Sequence, residues 1–380
     1  MHKVHVLSVF GTRPEAVKMA PLIKELESEP LIKSTVCVTG QHREMLEQVL
    51  KIFQIVPDFD LKIMENNQDL STTAAKCLEG VSQVIKELNP DFVLVHGDTS
   101  TTFAAALAAF YQKVPVGHVE AGLRTQNKYS PFPEEINRRL TASIAELHFA
   151  PTVENKQNLL QENITAGIYV TGNTVIDAMK YTIKDDSIFH ERKLNEINFS
   201  RESSILLTAH RRENVGEPLI RICKAVKRIL KDIKGLKFIY PVHLNPRVRE
   251  TVFDILGDEP GVLLTDPLDV VDMHNLMKRC WLVMTDSGGL QEEAPFLGKP
   301  VLLLRDNTER PEALAAGTVK LVGTAEERIY QAVADLLNNE EEYSRMASAK
   351  NPYGDGNASK RIVQAILYRF GLADEPHQFY

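Results

Sequence analysis

Short β-branched apolar runs alternate with longer helix-period segments along almost the whole chain of 380 residues. The runs are Val4–Val9, Val36–Thr39, Phe92–His96, Val114–Val119, Leu147–Ala150 and Ile168–Thr171, followed by Ser204–Thr208, Lys237–Pro241, Val262–Thr265, Leu282–Thr285, Val301–Leu304 and Lys320–Val322. This alternation is typical of βαβ units, whose parallel strands are buried on both faces. We therefore predict an α/β fold with two doubly wound, Rossmann-like parallel sheets in tandem.

The length of the chain suits two domains, because domains commonly contain about 100 to 200 residues each. The segment Lys180–Arg201 is charged and weakly periodic, so we place the crossover there or shortly before it. The predicted domains are residues 1–180 and 181–354. The segment Asn351–Gly371 opens with a glycine-rich loop and closes with an amphipathic helix, which by its pattern could belong to either domain.

Charge and cysteine content argue against a nucleic-acid-binding, membrane-bound or disulfide-rich protein. The formal net charge is −7, so the chain lacks the basic surplus that attracts nucleic acids or anionic membranes. The longest uncharged stretch, Thr99–Gln112, has the length of a buried helix and is too short for a membrane span. The four cysteines lie far apart without a C-x-x-C pair, which favours reduced core thiols. We expect a cytoplasmic protein.

The first strand leads into a loop suited to anions. Gly11 permits a tight turn, and Arg13 and Lys18 flank the start of the following helix. Free N–H groups at a helix N-terminus favour a phosphate or carboxylate. By spacing alone, ordinary turn formation is the alternative interpretation.

Three carboxylates follow predicted strands or begin a helix in the first half of the chain. Asp98 follows Phe92–His96, Glu120 follows Val114–Val119, and Glu134 begins a predicted helix. Each could simply cap a helix or complement its dipole. Since ligands bind outside the carboxyl ends of parallel strands, all three could instead share one crevice. Clustered carboxylates whose pKa values differ can supply both a base and an acid.

The second half of the chain is equipped for anions. Ser287, Gly288 and Gly289 pass from a strand into a helix and would offer a hydroxyl and backbone N–H groups to a diphosphate. Other loops of this half carry His210, His243 and Arg310. Glu292 and Glu293 would cap the helix, or one of them would hold a ribose diol.

Several other patterns predict no cofactor or metal. The loop Gly354–Ser359 mimics part of a dinucleotide-binding fingerprint but follows a helical stretch instead of a strand. No G-x-x-x-x-G-K-[ST] loop occurs. The segment Asp58–Asp60 has the spacing of a metal-binding D-x-D, yet a solvated turn beside Pro57 is favoured. His148 lies in an apolar strand and is expected in the core.

Taken together, five motifs resemble those of the bacterial non-hydrolysing UDP-N-acetylglucosamine 2-epimerases. They are Phe10–Glu15, His96–Thr99, Val119–Thr125, Thr208–Asn214 and Thr285–Glu293. The resemblance extends from about Val4 to Phe370. It implies a two-domain glycosyltransferase-B-like fold with the active site in the interdomain cleft and a C-terminal helix, about 355–371, that crosses back onto the first domain. It also implies interconversion of UDP-GlcNAc and UDP-ManNAc without NAD or an essential metal.

The resemblance implies roles for individual residues. The catalytic group comprises Asp98, Glu120, Glu134 and His210. The UDP-sugar would be bound by Arg13, Lys18, Asp98, Glu120, His210, Met273, Ser287, Gly288, Gly289, Glu293 and Arg310. In this pattern the carboxylates share the acid and base roles, and the sequence does not assign one to each face of the sugar. Met273 stands where family members commonly have Phe near the uracil.

A second UDP-GlcNAc site, which activates many members of the family, is also implied. The matching residues are Gln41, His42, Arg43, Gln68 and His243, with Glu44 beside them. Glu44 replaces the Gln of some relatives, and Asn67 replaces the Arg of many, so one contact to the diphosphate is lost. The resemblance further implies a homodimer that supplies UDP-ManNAc for cell-envelope polysaccharide.

Two other classes of function remain open at this point. A glycosyltransferase of the same fold would need an acceptor groove and would not exchange the C2 proton. A sugar-nucleotide sensor would bind without turnover, and it leaves three aligned carboxylates unexplained. A hydrolysing epimerase that releases free ManNAc is a closer alternative to the non-hydrolysing 2-epimerase.

Overall fold

The computed structural model describes residues 3–40, 43–63, 68–200 and 203–380, without the side chains of residues 43–45. Two compact units make up the chain. One comprises Met1–Tyr181 together with Tyr353–Tyr380, and the other comprises Thr182–Pro352. Each unit has its own sheet, and all strand pairs are parallel. The predicted α/β class with two parallel sheets is therefore confirmed.

The first unit contains a seven-stranded sheet. Its strands are β1 Val4–Phe10, β2 Ile32–Val38, β3 Phe59–Asp60, β4 Phe92–His96, β5 Val116–Val119, β6 Leu147–Ala150 and β7 Ile168–Val170. The helices are α1 Arg13–Ser28, α2 Arg43–Ile52, α3 Leu70–Leu88, α4 Ser100–Tyr111, α5 Glu134–Ile144, α6 Val153–Gln161 and α7 Thr174–Thr182. The strand order is β3-β2-β1-β4-β5-β6-β7. Strands β1 and β4 are buried along their whole length, as expected for a sheet covered on both faces.

The second unit contains a six-stranded sheet. Its strands are β8 Ser203–Thr208, β9 Leu236–Pro241, β10 Val262–Thr265, β11 Leu282–Thr285, β12 Val301–Leu303 and β13 Val319–Leu321. The helices are α8 Glu217–Asp232, α9 Pro246–Leu256, α10 Val270–Arg279, α11 Gly288–Phe296, α12 Pro311–Ala316, α13 Glu326–Asn338 and α14 Glu340–Ser348. Short 3-10 helices cover Arg192–Glu196 and Arg212–Asn214. The strand order is β10-β9-β8-β11-β12-β13, the same doubly wound arrangement as in the first unit.

The last helix, α15 Ala358–Arg369, belongs to the first unit. Asp177 caps it, because its carboxylate accepts hydrogen bonds from the backbone N–H groups of Ala358 and Ser359. The loop before it approaches Gly172 so closely that a Cβ there would lie 3.1 Å from the Cα of Gly354. The glycine-rich loop therefore serves chain packing.

The segment Phe59–Asp60 differs from the sequence prediction, whereas the cysteines and His148 agree with it. The segment around Asp58 was expected to be a solvated turn, but Phe59–Asp60 pairs with β2 as an edge strand. A strand of two residues leaves too little periodicity to be recognised. The four cysteines are buried, and His148 lies in the core as predicted. Among the described helices, none combines the length and apolarity needed to span a bilayer.

Candidate active site

Glu120 is the centre of a buried polar network in the first unit. It follows β5 with a φ of 63°, a left-handed conformation that is uncommon for a residue with a side chain. Its Oε1 accepts hydrogen bonds from Lys18 Nζ and, at 3.0 Å, from Asn173 Nδ2. Burial disfavours the charged carboxylate, but the charge of Lys18 and the hydrogen bonds from Lys18 and Asn173 outweigh it and lower the pKa of Glu120. Glu120 is thus held as an anion.

The register of the sheet brings this network together. Strands β4 and β5 pair so that His96 lies opposite Val119, which places Glu120 at the next position along the same edge. Asp98 lies two residues beyond His96. The structure therefore places Asp98 and Glu120 after two adjacent strands, where ligands of parallel sheets bind.

Asp98 is tied to helix α5. Its Oδ2 accepts a hydrogen bond of 2.6 Å from Arg138, and its backbone carbonyl accepts one of 2.9 Å from Asn137. Asp98 does not cap helix α4, because Thr99 is the N-cap residue and its hydroxyl accepts from Thr102 N–H. The helix-capping interpretation of Asp98 is therefore wrong. Its carboxylate is positioned by a cation and is partly exposed.

Glu134 and Glu135 begin α5 but have different surroundings. Glu135 is fully buried and accepts hydrogen bonds from Thr125 N–H, Arg138 and Arg139. In contrast, Oε2 of Glu134 is buried and has no hydrogen-bond partner within the described part of the chain. A buried carboxylate oxygen without a partner is costly unless it is used. Glu134 is accordingly the better candidate for chemistry, and Glu135 for structure.

In the loop after β1, the carboxylate of Glu15 already occupies some of the backbone N–H donors. Thr12 and Glu15 form a capping box at the start of α1. The Glu15 carboxylate accepts hydrogen bonds from the N–H groups of Gly11 and Thr12 and from the Thr99 hydroxyl. Burial raises the pKa of Glu15, although these hydrogen bonds oppose the shift. An external anion near Arg13 would have to use other donors of this helix start.

In the second unit, Asp286 organises the loop that follows β8. Its Oδ2 accepts hydrogen bonds from the backbone N–H groups of His210 and Arg211, each of 2.8 Å, and from Asn214 Nδ2. The imidazole of His210 stacks on that of His243, with ring centroids 5.2 Å apart. Burial lowers the pKa of His210, and His243 and Arg211 add to that shift against the opposing charge of Asp286. His210 is therefore oriented and favours its neutral form.

The turn Ser287–Gly289 begins helix α11 as predicted. Ser287 is its N-cap residue, and its side chain makes no capping hydrogen bond. Arg310 lies over this helix start, because a Cβ on Gly288 would lie 2.6 Å from Arg310 Nη1. A cation and a helix N-terminus thus converge, which is a suitable arrangement for a phosphate.

Arg310 is also paired with carboxylates. It donates to Glu292 at 2.5 Å and to Glu309 at 2.7 Å. Burial disfavours the charge on Glu309, but Arg310 and Arg305 lower its pKa to about 2. The two acidic side chains thus hold the guanidinium in place.

The remaining predicted residues of the second unit lie on α10 and α11. Met273 is half-buried on α10. Glu293 Oε2 lies 3.4 Å from Nε2 of His274, and Glu292 pairs with Arg310. Both glutamates lie beyond the first turn of α11, whose N-cap residue is Ser287.

The structure describes only some of the residues predicted to bind the effector. Gln41, His42 and Asn67 lie outside the described residues, as do the side chains of Arg43 and Glu44. Gln68 directly precedes Asp69, the N-cap residue of α3. His243 is described and stacks on His210.

One group of potential metal ligands was not singled out from the sequence. The ligand atoms of His190, Asp269 and Asp272 lie within 4.8 Å of one another. Asp269 already caps α10, and Asp272 accepts hydrogen bonds from the N–H groups of His190 and Glu191. These contacts give the group a structural role.

Several partners of the predicted site residues were missed by the sequence analysis. Asp286 and His96 stand inside the quoted motifs and could have been found there. Asn173 follows β7 and Arg138 lies one turn after Glu134, but only tertiary contacts identify what they hold.

The comparisons with known proteins agree with one another. The family model described as UDP-N-acetylglucosamine 2-epimerase matches residues 24–367. A UDP-N-acetylglucosamine 2-epimerase of Bacillus subtilis is 54% identical over 376 residues, covering 99% of this chain and 98% of the relative. The UDP-GlcNAc 2-epimerase of Neisseria meningitidis bound to UDP-GlcNAc superposes with a TM-score of 0.87 at 50% identity, covering 96% of this chain and all of that one. S. aureus MnaA with UDP gives a TM-score of 0.88 at 51% identity, covering 99% and 100%.

The two parallel-sheet units and these structural neighbours define an α/β enzyme with a glycosyltransferase-B-like fold. The first unit holds a buried carboxylate network around Glu120, and the second unit holds the helix start at Ser287. The chain belongs to the UDP-N-acetylglucosamine 2-epimerase family. It is therefore an isomerase.

Proposed function

We propose that the chain interconverts UDP-GlcNAc and UDP-ManNAc without hydrolysis, by eliminating and re-adding UDP through 2-acetamidoglucal. The observation that carries this proposal is the pair of carboxylates, Asp98 and Glu120, that follow adjacent strands, each with a cationic partner. The support from relatives is that a neighbour of similar sequence binds UDP-GlcNAc and another binds UDP.

The chemistry explains why carboxylates and phosphate-binding groups are both needed. The hydrogen on C2 of the sugar has no adjacent carbonyl to acidify it. In the elimination, a carboxylate takes the C2 proton, the C2–H electron pair forms the C1–C2 double bond, and the C1–O bond breaks with its electrons leaving on UDP. Re-addition reverses these steps, with a proton delivered to the opposite face of C2. Asp98, Glu120 and Glu134 share these acid and base roles.

The second unit would hold the departing UDP. Ser287, Gly288 and Gly289 would offer the start of α11 to the diphosphate, and Arg310, together with Arg13 of the first unit, would supply positive charge. Arg310 would then exchange Glu309 or Glu292 for a phosphate oxygen. His210 would steady the leaving group, while Met273 would contact the uracil and Glu293 the ribose.

Wider assignments rest on the family resemblance. We place the enzyme in the cytoplasm as a homodimer that needs neither NAD nor a metal and that supplies UDP-ManNAc for cell-envelope polysaccharide. We also assign to it a second, activating UDP-GlcNAc site. His243 supports this assignment, because its stacking on His210 would connect an effector to a catalytic side chain.

Incubation with UDP-GlcNAc in D2O, followed by NMR and mass spectrometry, tests the reaction. We expect deuterium at C2 of both UDP-GlcNAc and UDP-ManNAc. Free ManNAc as the main product would assign the hydrolytic variant. Binding of UDP-GlcNAc without any C2 exchange would contradict the proposed reaction and favour a sensor, and sugar transfer to an acceptor would indicate a glycosyltransferase.

A further inference from the structure

His96 is a buried polar side chain with no role in the reaction as described so far. Its side chain is 3% exposed at the end of β4. Neither ring nitrogen has a hydrogen-bond partner in the part of the chain that the structure describes. A buried imidazole is usually hydrogen-bonded, because an unsatisfied polar group costs about 1 to 3 kcal/mol. Both ring nitrogens of His96 are therefore available for a further contact.

The nearest acidic group to His96 is Glu120. Nε2 of His96 lies 3.8 Å from Oε2 of Glu120. A side-chain movement of about 1 Å would bring the two atoms to hydrogen-bond distance. His96 ends β4 and Glu120 directly follows the paired strand β5, so their backbones are fixed relative to each other. The missing contact is thus within reach of a side-chain movement alone.

The two oxygens of Glu120 are not equivalent. Oε1 is held by Lys18 and Asn173. Oε2 lies on the side of His96 and near Gly97, where a Cβ would be only 3.5 Å from this oxygen. Asn173 is in turn fixed by the C-terminal segment, since its N–H donates to the carbonyl of Tyr353 at 2.6 Å. Oε1 is consequently anchored, and Oε2 is the oxygen with freedom to react.

We propose that His96 is a positioning residue for Glu120: its neutral imidazole, protonated on Nε2, donates a hydrogen bond to Oε2 and stabilises the carboxylate during the proton transfer. The inference rests on the proposed function, in which Glu120 shares the acid and base roles. No covalent bond to His96 is involved. The residue touches the carboxylate and not the sugar.

The electrostatics of the site suit a neutral donor. Burial lowers the pKa of His96 to about 4, against the opposing charge of Glu120, so the ring carries no charge near pH 7. The charged groups that act on His96 and Glu120 are Lys18 on α1 and Asp98 after β4, with His118 on β5 as the other titratable neighbour. Lys18 already balances the Glu120 anion. A second full positive charge would hold that anion too firmly for it to accept a proton.

The test compares three variants by their pH–rate profiles. In His96→Leu the donor is lost, so the Glu120 anion is less stable and its pKa rises. We expect the acid limb of the kcat profile to move up by about one pH unit and kcat at the optimum to fall about tenfold, with KM changed by less than about threefold. In His96→Gln an amide donor remains, and the acid limb should stay within about half a unit of wild type. His148→Leu removes a buried histidine of β6 and should leave the limb in place.

The outcomes separate this inference from the proposed function. If His96→Leu does not fold, His96→Asn, whose amide is too short to reach Oε2, replaces it with the same expected shift. An unchanged acid limb together with kcat within about twofold of wild type in the donor-deficient variant would overturn the inference. A shift of equal size in His148→Leu would do so too. Full turnover in Glu120→Gln would instead show that the proposed role of Glu120 is wrong.

Discussion

The buried carboxylate of Asp286 accepts a hydrogen bond of 2.8 Å from the backbone N–H of His210. The contact spans adjacent strands, because β8 and β11 pair with Thr285 opposite Thr208. The same oxygen also binds the N–H of Arg211. One carboxylate therefore fixes the backbone from which His210 and Arg211 project.

Replacement of this carboxylate tests its role. We expect Asp286→Asn to lower the free energy of unfolding by about 1 to 3 kcal/mol, because a charge-assisted acceptor of three hydrogen bonds is weakened. The kcat should also fall, since His210 loses its orientation. Urea unfolding and steady-state assays measure both effects. Asp266→Asn is the matched control, because Asp266 is exposed and pairs only at the surface with Arg249. Equal stability of the two variants would contradict the assignment.

The neighbouring glutamates of α5 offer a second comparison. We expect Glu134→Gln to lower kcat by about 10² or more with little effect on the melting temperature, because Oε2 of Glu134 has no hydrogen-bond partner in the described part of the chain. Asp98→Asn and Glu120→Gln should lower kcat to the same degree. Glu135→Gln should mainly lower the melting temperature, because fully buried Glu135 holds Thr125, Arg138 and Arg139. Thermal melts and turnover of each variant provide the measurement. Near-normal turnover in any of the first three variants removes that residue from the catalytic group.

Acid sensitivity follows from the buried histidines of the first unit. Burial lowers the pKa of His96 and His148 to about 4 and that of His118 to about 3. These groups stay neutral in the folded state, whereas in the unfolded chain they take up protons below about pH 6.5. Their contribution to stability is complete above that pH and is lost as the pH falls towards 4.

The variant His148→Leu isolates one of these protons. The loss of stability between pH 7 and pH 5 should be smaller than in wild type by about 2 kcal/mol, the effect of one histidine over about 1.5 pH units. Denaturant unfolding at the two pH values measures the difference. An identical loss in both proteins would show that His148 is not kept neutral by burial.

Regulation by a second UDP-GlcNAc gives a further expectation. UDP-ManNAc alone should be converted slowly, and a trace of UDP-GlcNAc should accelerate the reaction. Because Asn67 lacks the charge of an arginine, Asn67→Arg should shift the activation curve to about tenfold lower effector concentration. Initial rates at varied effector concentrations measure this. Hyperbolic kinetics with UDP-ManNAc that do not change when UDP-GlcNAc is added would show that no such effector site operates in this enzyme.

The alternation of apolar runs and helix-period segments determined the fold class, because strands buried on both faces need continuous apolar sequence. Every predicted run corresponds to a strand of the parallel sheets, and the strand ends then indicated where Asp98 and Glu120 lie. Among the strands that the structure describes, only Phe59–Asp60 was not predicted, since so short a segment shows no periodicity. The local sequence pattern also predicted that a helix begins at Glu134.

The surroundings of those carboxylates were decided only by the tertiary structure. Glu120 meets Lys18 across 102 residues and Asn173 across 53, and no local pattern encodes such contacts. The same holds for Asn173 and Tyr353, whose hydrogen bond ties the C-terminal segment to the first unit. Sequence periodicity indicates which face of a helix or strand is buried. The partner of a polar side chain depends instead on which strand ends become neighbours when the sheet forms.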